Sequence, residues 1–175
     1  MGRSSAGFTL IEAIVVIAIL PIVASVGIPA FSQTLERHQV AASSHRLGHD
    51  LALARASALM RRQPVVLCPL GPEDRCQPGM DWSRGWIVFA DRDGNRRPDD
   101  DADVLWVQRH PAGPRGVPAI VANRRFLLFR HDGTSPGTNL TSSVCIHPRV
   151  AAQQIVSNTG RARSFHPPES LPCPA

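Results

Sequence analysis

Near the C-terminus, Gly160-Arg161-Ala162-Arg163 sets two arginines two positions apart. On a β-strand, residues two apart face the same way, so this spacing presents adjacent guanidiniums. Such a pair suits phosphate oxygens, which it grips through bidentate hydrogen bonds without reading base sequence. Arg124, Arg125, Arg130 and Arg149 would extend the patch if folding brings them together. Only Phe165 and His166 interleave aromatic rings with these arginines, which is little for base stacking. The plainer roles for Arg161 and Arg163 are solvated strand residues or subunit-interface partners.

Other residue types with chemical potential carry less. Asp91-Arg92-Asp93-Gly94-Asn95, followed by Asp99, Asp100, Asp101 and Asp103, clusters the hard oxygens that calcium prefers. The EF-hand template places Gly sixth and Glu twelfth, whereas here Gly is fourth and Ala102 twelfth. A solvated hairpin with Asp-Gly turn chemistry is the expectation, with Arg96 and Arg97 offsetting the charge. Seven histidines are scattered. His45 and His49 are four apart without the adjoining carboxylate of a metalloprotease site, so surface histidines are expected. No Gly-x-Ser-x-Gly elbow or phosphate-cradling loop occurs, and the chain reads as non-enzymatic, with no cofactor. The four cysteines contain no C-x₂-C knuckle for zinc.

Composition narrows the class. The chain has 175 residues, 43% of them apolar, and all 19 of its basic residues are arginine. Residues 91–103 carry six Asp and three Arg, net −3, while 104–175 carry eight Arg against Asp132 and Glu169, net +6. That polarity could attract nucleic acid or an anionic membrane face, or simply solvate an arginine-rich surface. Much of the apolar total sits in Phe8–Phe31, where Glu12 is the sole formally charged residue. What remains is the size of one small domain, which excludes a large enzyme, a polytopic membrane protein and a disordered chain.

The apolar block comes after a polar leader, Met1–Gly7. Its 24 residues make a helix of roughly 36 Å, enough to span the hydrocarbon core once. The basic leader would stay cytoplasmic and the rest would be translocated. A carboxylate inside such a helix costs about 3 kcal/mol near the bilayer centre and less near its end, so Glu12 calls for a partner. Cleavage after Gly7 would create a cationic amine on Phe8, and Glu12 of one chain could pair with that amine on its neighbour. Pro21 should disturb the helix by removing one backbone bond. Beyond the membrane, an oxidising compartment makes disulfides the first reading of Cys68, Cys76, Cys145 and Cys173. Four cysteines permit three pairings, of which the local one, Cys68–Cys76 with Cys145–Cys173, is preferred.

Periodicity supplies the framework that carries these residues. Val40, Leu47, Leu51, Ala54 and Ala58 recur at helical spacing, predicting an amphipathic helix that continues the apolar segment to about Arg62. Gln63-Pro64 ends it. Leu47, Leu51 and Leu59 are expected to pack against the strands C-terminal to the helix. Short β-prone runs occur at Val65–Cys68, Trp86–Phe89, Val104–Val107, Ala119–Ala122 and Phe126–Phe129, with two more near Ser143–Ile146 and Gln154–Ser157. The fold class is α+β, a long N-terminal helix packed on antiparallel sheet. Its parts are a leader at 1–7, a membrane helix at 8–31 and a globular domain at 32–175.

Gly7-Phe8-Thr9-Leu10-Ile11-Glu12 before an apolar helix resembles the class III signal of type IV prepilins and type II secretion pseudopilins. The resemblance implies a prepilin peptidase that cuts between Gly7 and Phe8 and methylates Phe8, and a role for Glu12 in filament docking. Pro29 matches the proline at the family's helix kink. Leu51-Ala52-Leu53-Ala54-Arg55, Cys68, Trp82-Ser83-Arg84-Gly85-Trp86 and Gly160-Arg161-Ala162-Arg163 together resemble the GspH/FimT family of minor pilins and pseudopilins. The Gly-Arg-x-Arg element resembles the DNA-binding motif of its FimT branch. The implied partners are other pilin subunits, the peptidase, the inner membrane and double-stranded DNA. The implied location is the inner membrane, single-pass with the bulk periplasmic, and then a pilus, at or near its tip. The competing expectation is a structural subunit without DNA binding, either a GspH-like pseudopilin or a FimU-like pilus-priming pilin.

Overall fold

The computed structural model describes residues 9–110, 118–146, 148–168 and 171–174, with the side chains at 26, 29 and 30 outside that set. Gly7 and Phe8, the expected cleavage site, therefore lie outside the described residues. Helix α1 spans Leu10–Arg61. It continues through Pro21, where the ring removes one backbone bond while the surrounding turns persist. Two compact units divide the chain, Met1–Arg37 and His38–Ala175. Among the described residues of the helix, Val40 is the first to be buried.

In the N-terminal unit, the Glu12 amide donates to Thr9 Oγ1 at 3.4 Å, and Ala13 N–H closes the first helical bond on the Thr9 carbonyl. Thr9-x-x-Glu12 is the sequence pattern of a capping box, which places the carboxylate at the positive end of the helix dipole. Leu10, Ile11, Ile14, Ile17, Leu20, Ile22 and Val23 are all exposed. Among the described residues no helix is long and apolar enough to cross a membrane.

The globular unit sets the C-terminal part of α1 against two antiparallel sheets. The first contains β1 (Val65–Pro69), β2 (Gly85–Ala90), β3 (Val104–Arg109) and β5 (Leu127–Phe129) in the order β3-β2-β1-β5. The second contains β4 (Ala119–Ala122), β6 (Leu140–Ile146), β7 (Arg149–Val156) and β8 (Ala162–Phe165) in the order β4-β6-β7-β8. One core joins Leu47, Leu51, Ala54 and Ala58 of α1 to Val65, Leu67, Trp86 and Val88 of the first sheet and Ile120, Leu140, Val144 and Val156 of the second. Burying Leu47 and Leu51 contributes about 1.5–3 kcal/mol each. Leu59, expected in this core, is instead 47% exposed. It stands one position past Ala58 and so falls off the apolar stripe.

The outer face of the first sheet is covered too. Val66, Cys68, Ile87 and Phe89 form a second cluster with Leu70, and Phe126 packs on it. That cover comes from loops, and the disulfide Cys68–Cys76 (Cα–Cα 5.5 Å) folds one of them back on β1. A second disulfide, Cys145–Cys173, ties the C-terminal tail to β6. Both match the local pairing. Gly85 sits at φ 115° where a Cβ would lie 2.0 Å from the Gln108 carbonyl oxygen, and Trp82 and Trp86 are fully buried. The Trp-x-x-Gly-Trp segment is therefore an architectural element.

Candidate nucleic-acid interface

The paired arginines close a hairpin at the edge of the second sheet. Ser157 N–H donates to the Arg161 carbonyl at 3.1 Å, and Gly160 N–H donates to the Ser157 carbonyl at 2.8 Å. The loop residues Asn158-Thr159-Gly160 form a three-residue hairpin connection whose last position is left-handed, with Gly160 at φ 75°. Arg161 thus precedes β8 rather than lying within it, a correction to the strand expectation; the glycine turn takes up the residue before pairing begins. Arg163 pairs with Ile155, and Ala162 with Val156.

Side-chain direction is fixed by the contacts of the neighbouring residue. Ser164 Oγ accepts from Gln154 Nε2 at 2.7 Å, and the same amide lies 3.0 Å from the Ser44 carbonyl and 2.9 Å from its hydroxyl. Gln154 is buried, so Ser164 faces the helix. By strand alternation, Arg163 and Phe165 face away from it. Phe165 is 46% exposed, Arg161 is exposed and Arg163 is exposed. Among the described residues neither Arg161 nor Arg163 forms an ion pair.

Arg55 buttresses the hairpin from α1. Its Nε donates to the Gly133 carbonyl at 3.0 Å and its guanidinium to the Thr159 carbonyl at 3.2 Å. Gly160 approaches Gly133 so closely that a Cβ would lie 1.9 Å from the Gly133 oxygen. Gly160 is thus a packing and turn residue. The Arg130–Thr134 turn, closed by Gly133 N–H donating to the Arg130 carbonyl, lies against the arginine hairpin. Arg149 opens β7 and bridges to Pro172 in the tail. Arg124 and Arg125 stand in the loop between β4 and β5, held by Trp82 Nε1 donating to the Arg124 carbonyl at 3.2 Å, and no hydrogen bond among the described residues ties them to the arginine hairpin directly.

Elsewhere, among the described residues no group of three or more His, Cys, Asp or Glu could hold a metal. The 91–103 loop is knit by its own bonds: Asp93 Oδ1 accepts from Asn95 N–H at 3.1 Å, and Asp91 Oδ1 from Arg96 N–H at 3.1 Å. Burial raises the Asp91 carboxyl above its usual range, opposed by that Arg96 bond. His110 departs from the expectation of surface histidines: its ring meets Trp86 edge-on at 5.0 Å. Burial holds its imidazole below the ordinary range, with the Ser83 carbonyl and Asp50 opposing. Sequence reading gave no role to Gln154 and quoted Arg55 and Thr9 only as letters of longer motifs, although the Thr-x-x-Glu pattern was a usable signal for the last.

A long N-terminal helix packed on antiparallel sheets, with its first turns apolar and exposed, defines the type IV pilin class. A model of the prokaryotic N-terminal methylation motif matches residues 2–28. A model described as type II transport protein GspH matches residues 43–160, more than half of the chain. The chain belongs to the GspH family of minor pilins and pseudopilins. Its fold is similar to the type IV minor pilin FimU of Pseudomonas aeruginosa strain PAO1, seen in two crystal forms. One gives TM-score 0.57 at 19% identity over 79% of this chain and 95% of that one. The other gives 0.53 at 20% over 75% and 95%. No curated protein sequence matches significantly. The methylation motif and the apolar helix imply peptidase processing, membrane anchoring and assembly with other pilin subunits. Arg161 and Arg163 fall just beyond the GspH match, which ends at Gly160.

Proposed function

We propose that the chain is a non-enzymatic minor type IV pilin that binds double-stranded DNA through Arg161 and Arg163 and supports DNA uptake in natural transformation. In this reading it is cleaved between Gly7 and Phe8, methylated on Phe8, docked through Glu12 and exposed on the pilus at or near its tip. The observation that carries the proposal is the arginine hairpin: two exposed guanidiniums without ion-pair partners among the described residues, on a backbone held by Gly160 and Arg55. Guanidiniums that need not abandon a carboxylate are available to phosphate.

The test titrates the full-length chain, in non-ionic detergent, with duplex DNA across a salt series. Binding should be sequence-independent, and Arg161→Ala with Arg163→Ala should flatten the slope of log affinity against log salt by about 2. Equal affinity and slope in the wild type and the double variant would remove the arginine pair from the proposal. The likeness to FimU supports a second reading, a pilus-priming subunit that binds no DNA. It predicts loss of pili on deletion and no DNA retention by the purified chain.

A further inference from the structure

On the first sheet, three loops line an open pocket of about 410 Å³ whose walls include Arg75, Arg96, Arg97 and Arg125 beside Phe126 and the Cys68–Cys76 disulfide, and none of the hairpin residues 158–163. All four arginines are exposed, and among the described residues none of them makes an ion pair. In the sequence they are scattered over fifty positions, and two of them look like mere compensation for the aspartates around them.

Each loop is fixed where its arginine leaves the backbone. Arg75 lies next to Cys76 of the disulfide, and its carbonyl accepts from Gly71 N–H at 2.8 Å. Arg96 adopts φ 62°, a left-handed conformation costly for a side-chain-bearing residue, and its N–H is held at 3.1 Å by the buried Asp91 carboxylate. Arg97 N–H donates to Asn95 Oδ1 at 2.6 Å. The Arg96 guanidinium lies 4.6 Å from the centre of the Phe126 ring, which orients it on the cavity wall. Arg125 and Phe126 also line a second cavity of about 240 Å³ that includes Arg124, so the basic surface continues past them. Beyond Arg75 and Pro98 the sign reverses: Glu73, Asp74 and Asp99–Asp101 line the neighbouring depression.

Convergent guanidiniums left without carboxylate partners create a positive potential that only an anion relieves. Their number, exposure and continuation past Arg125 suit a chain of phosphates, and the acidic border blocks passage in the other direction. We infer that this cavity is a second DNA-backbone site, with Arg75, Arg97 and Arg125 gripping phosphate oxygens and Arg96 held against Phe126. The inference rests on the DNA-binding reading but uses residues outside the Gly-Arg-x-Arg motif. Phosphate contacts position a duplex without specifying sequence, so two such sites on one subunit would set how DNA lies across it.

The experiment maps arginine protection on the full-length chain in non-ionic detergent. Phenylglyoxal modification of each arginine is quantified by mass spectrometry with and without duplex DNA at low salt. Protection of Arg75, Arg97 and Arg125, reversed at high salt, is the expected result. The variant Arg75→Gln, Arg97→Gln, Arg125→Gln should bind about tenfold more weakly, with a salt slope shallower by about 2.7. Protection confined to Arg161 and Arg163, with unchanged affinity in the triple variant, would overturn the cavity site and leave the hairpin reading standing. Protection of the cavity arginines alone would keep this site and remove the hairpin. No retention of DNA by the wild type would overturn both.

Discussion

Arg161 and Arg163 are functional candidates because the residue beside them does a different job. Gly160 takes the left-handed position of the hairpin and abuts the Gly133 carbonyl, so even one added carbon forces the backbone to move. Gly160→Ala should cost roughly 2–4 kcal/mol, combining left-handed strain with overpacking. A lowered denaturant midpoint at unchanged denaturant sensitivity would register it. The double variant Arg161→Ala, Arg163→Ala should leave that midpoint nearly where it was, since both side chains are exposed. A fall in DNA affinity in the arginine variant without a fall in stability would then separate contact from scaffold. The motif was readable as adjacent letters. The reason for its glycine was not, because Gly133 lies far back along the chain and only the fold brings it near.

At the scale of elements, the arginine hairpin lies inside the loop closed by Cys145–Cys173, whose partners are 28 residues apart. Between them run β7, the turn and β8, and the tail is further tied by Val150 N–H donating to the Leu171 carbonyl at 2.9 Å and Cys173 N–H to the Pro148 carbonyl at 3.0 Å. Because β8 is an edge strand, it has one neighbour, β7, to hold it. Replacing both cysteines by serine should cost about 3 kcal/mol through the restored freedom of the unfolded chain. Amide exchange should quicken first in β8, ahead of the first sheet. Uniform acceleration across both sheets would argue instead for a single cooperative unit. Local pattern revealed the stripe Leu47, Leu51, Ala54, Ala58 and seven of the eight described strands, since burial imposes its period on neighbouring residues; β8, three of whose four residues are exposed, was marked only by its arginine spacing. The pattern misplaced Leu59 by judging residue type over position. It also gave no view of the cavity, whose arginines meet only once β3-β2-β1-β5 is the strand order.

Across the whole molecule, the two units differ in composition. The N-terminal one is apolar around the carboxylate of Glu12, and the globular one carries an excess of arginine. The carboxylate admits two explanations that make different predictions. As part of a Thr9-x-x-Glu12 cap, Glu12 would serve its own helix, and glutamine would replace it well, since Gln also completes a capping box. As partner of the new amine on a neighbouring Phe8, its charge is the essential property, and glutamine would fail. We expect Glu12→Gln and Glu12→Ala both to be cleaved after Gly7, because the substitution lies past the scissile bond. Both should also leave the mature subunit in the membrane, out of sheared pili. Immunoblotting membrane and sheared fractions reads processing and incorporation separately. Incorporation of Glu12→Gln at the wild-type level would assign the carboxylate to capping and remove its charge from the assembly step.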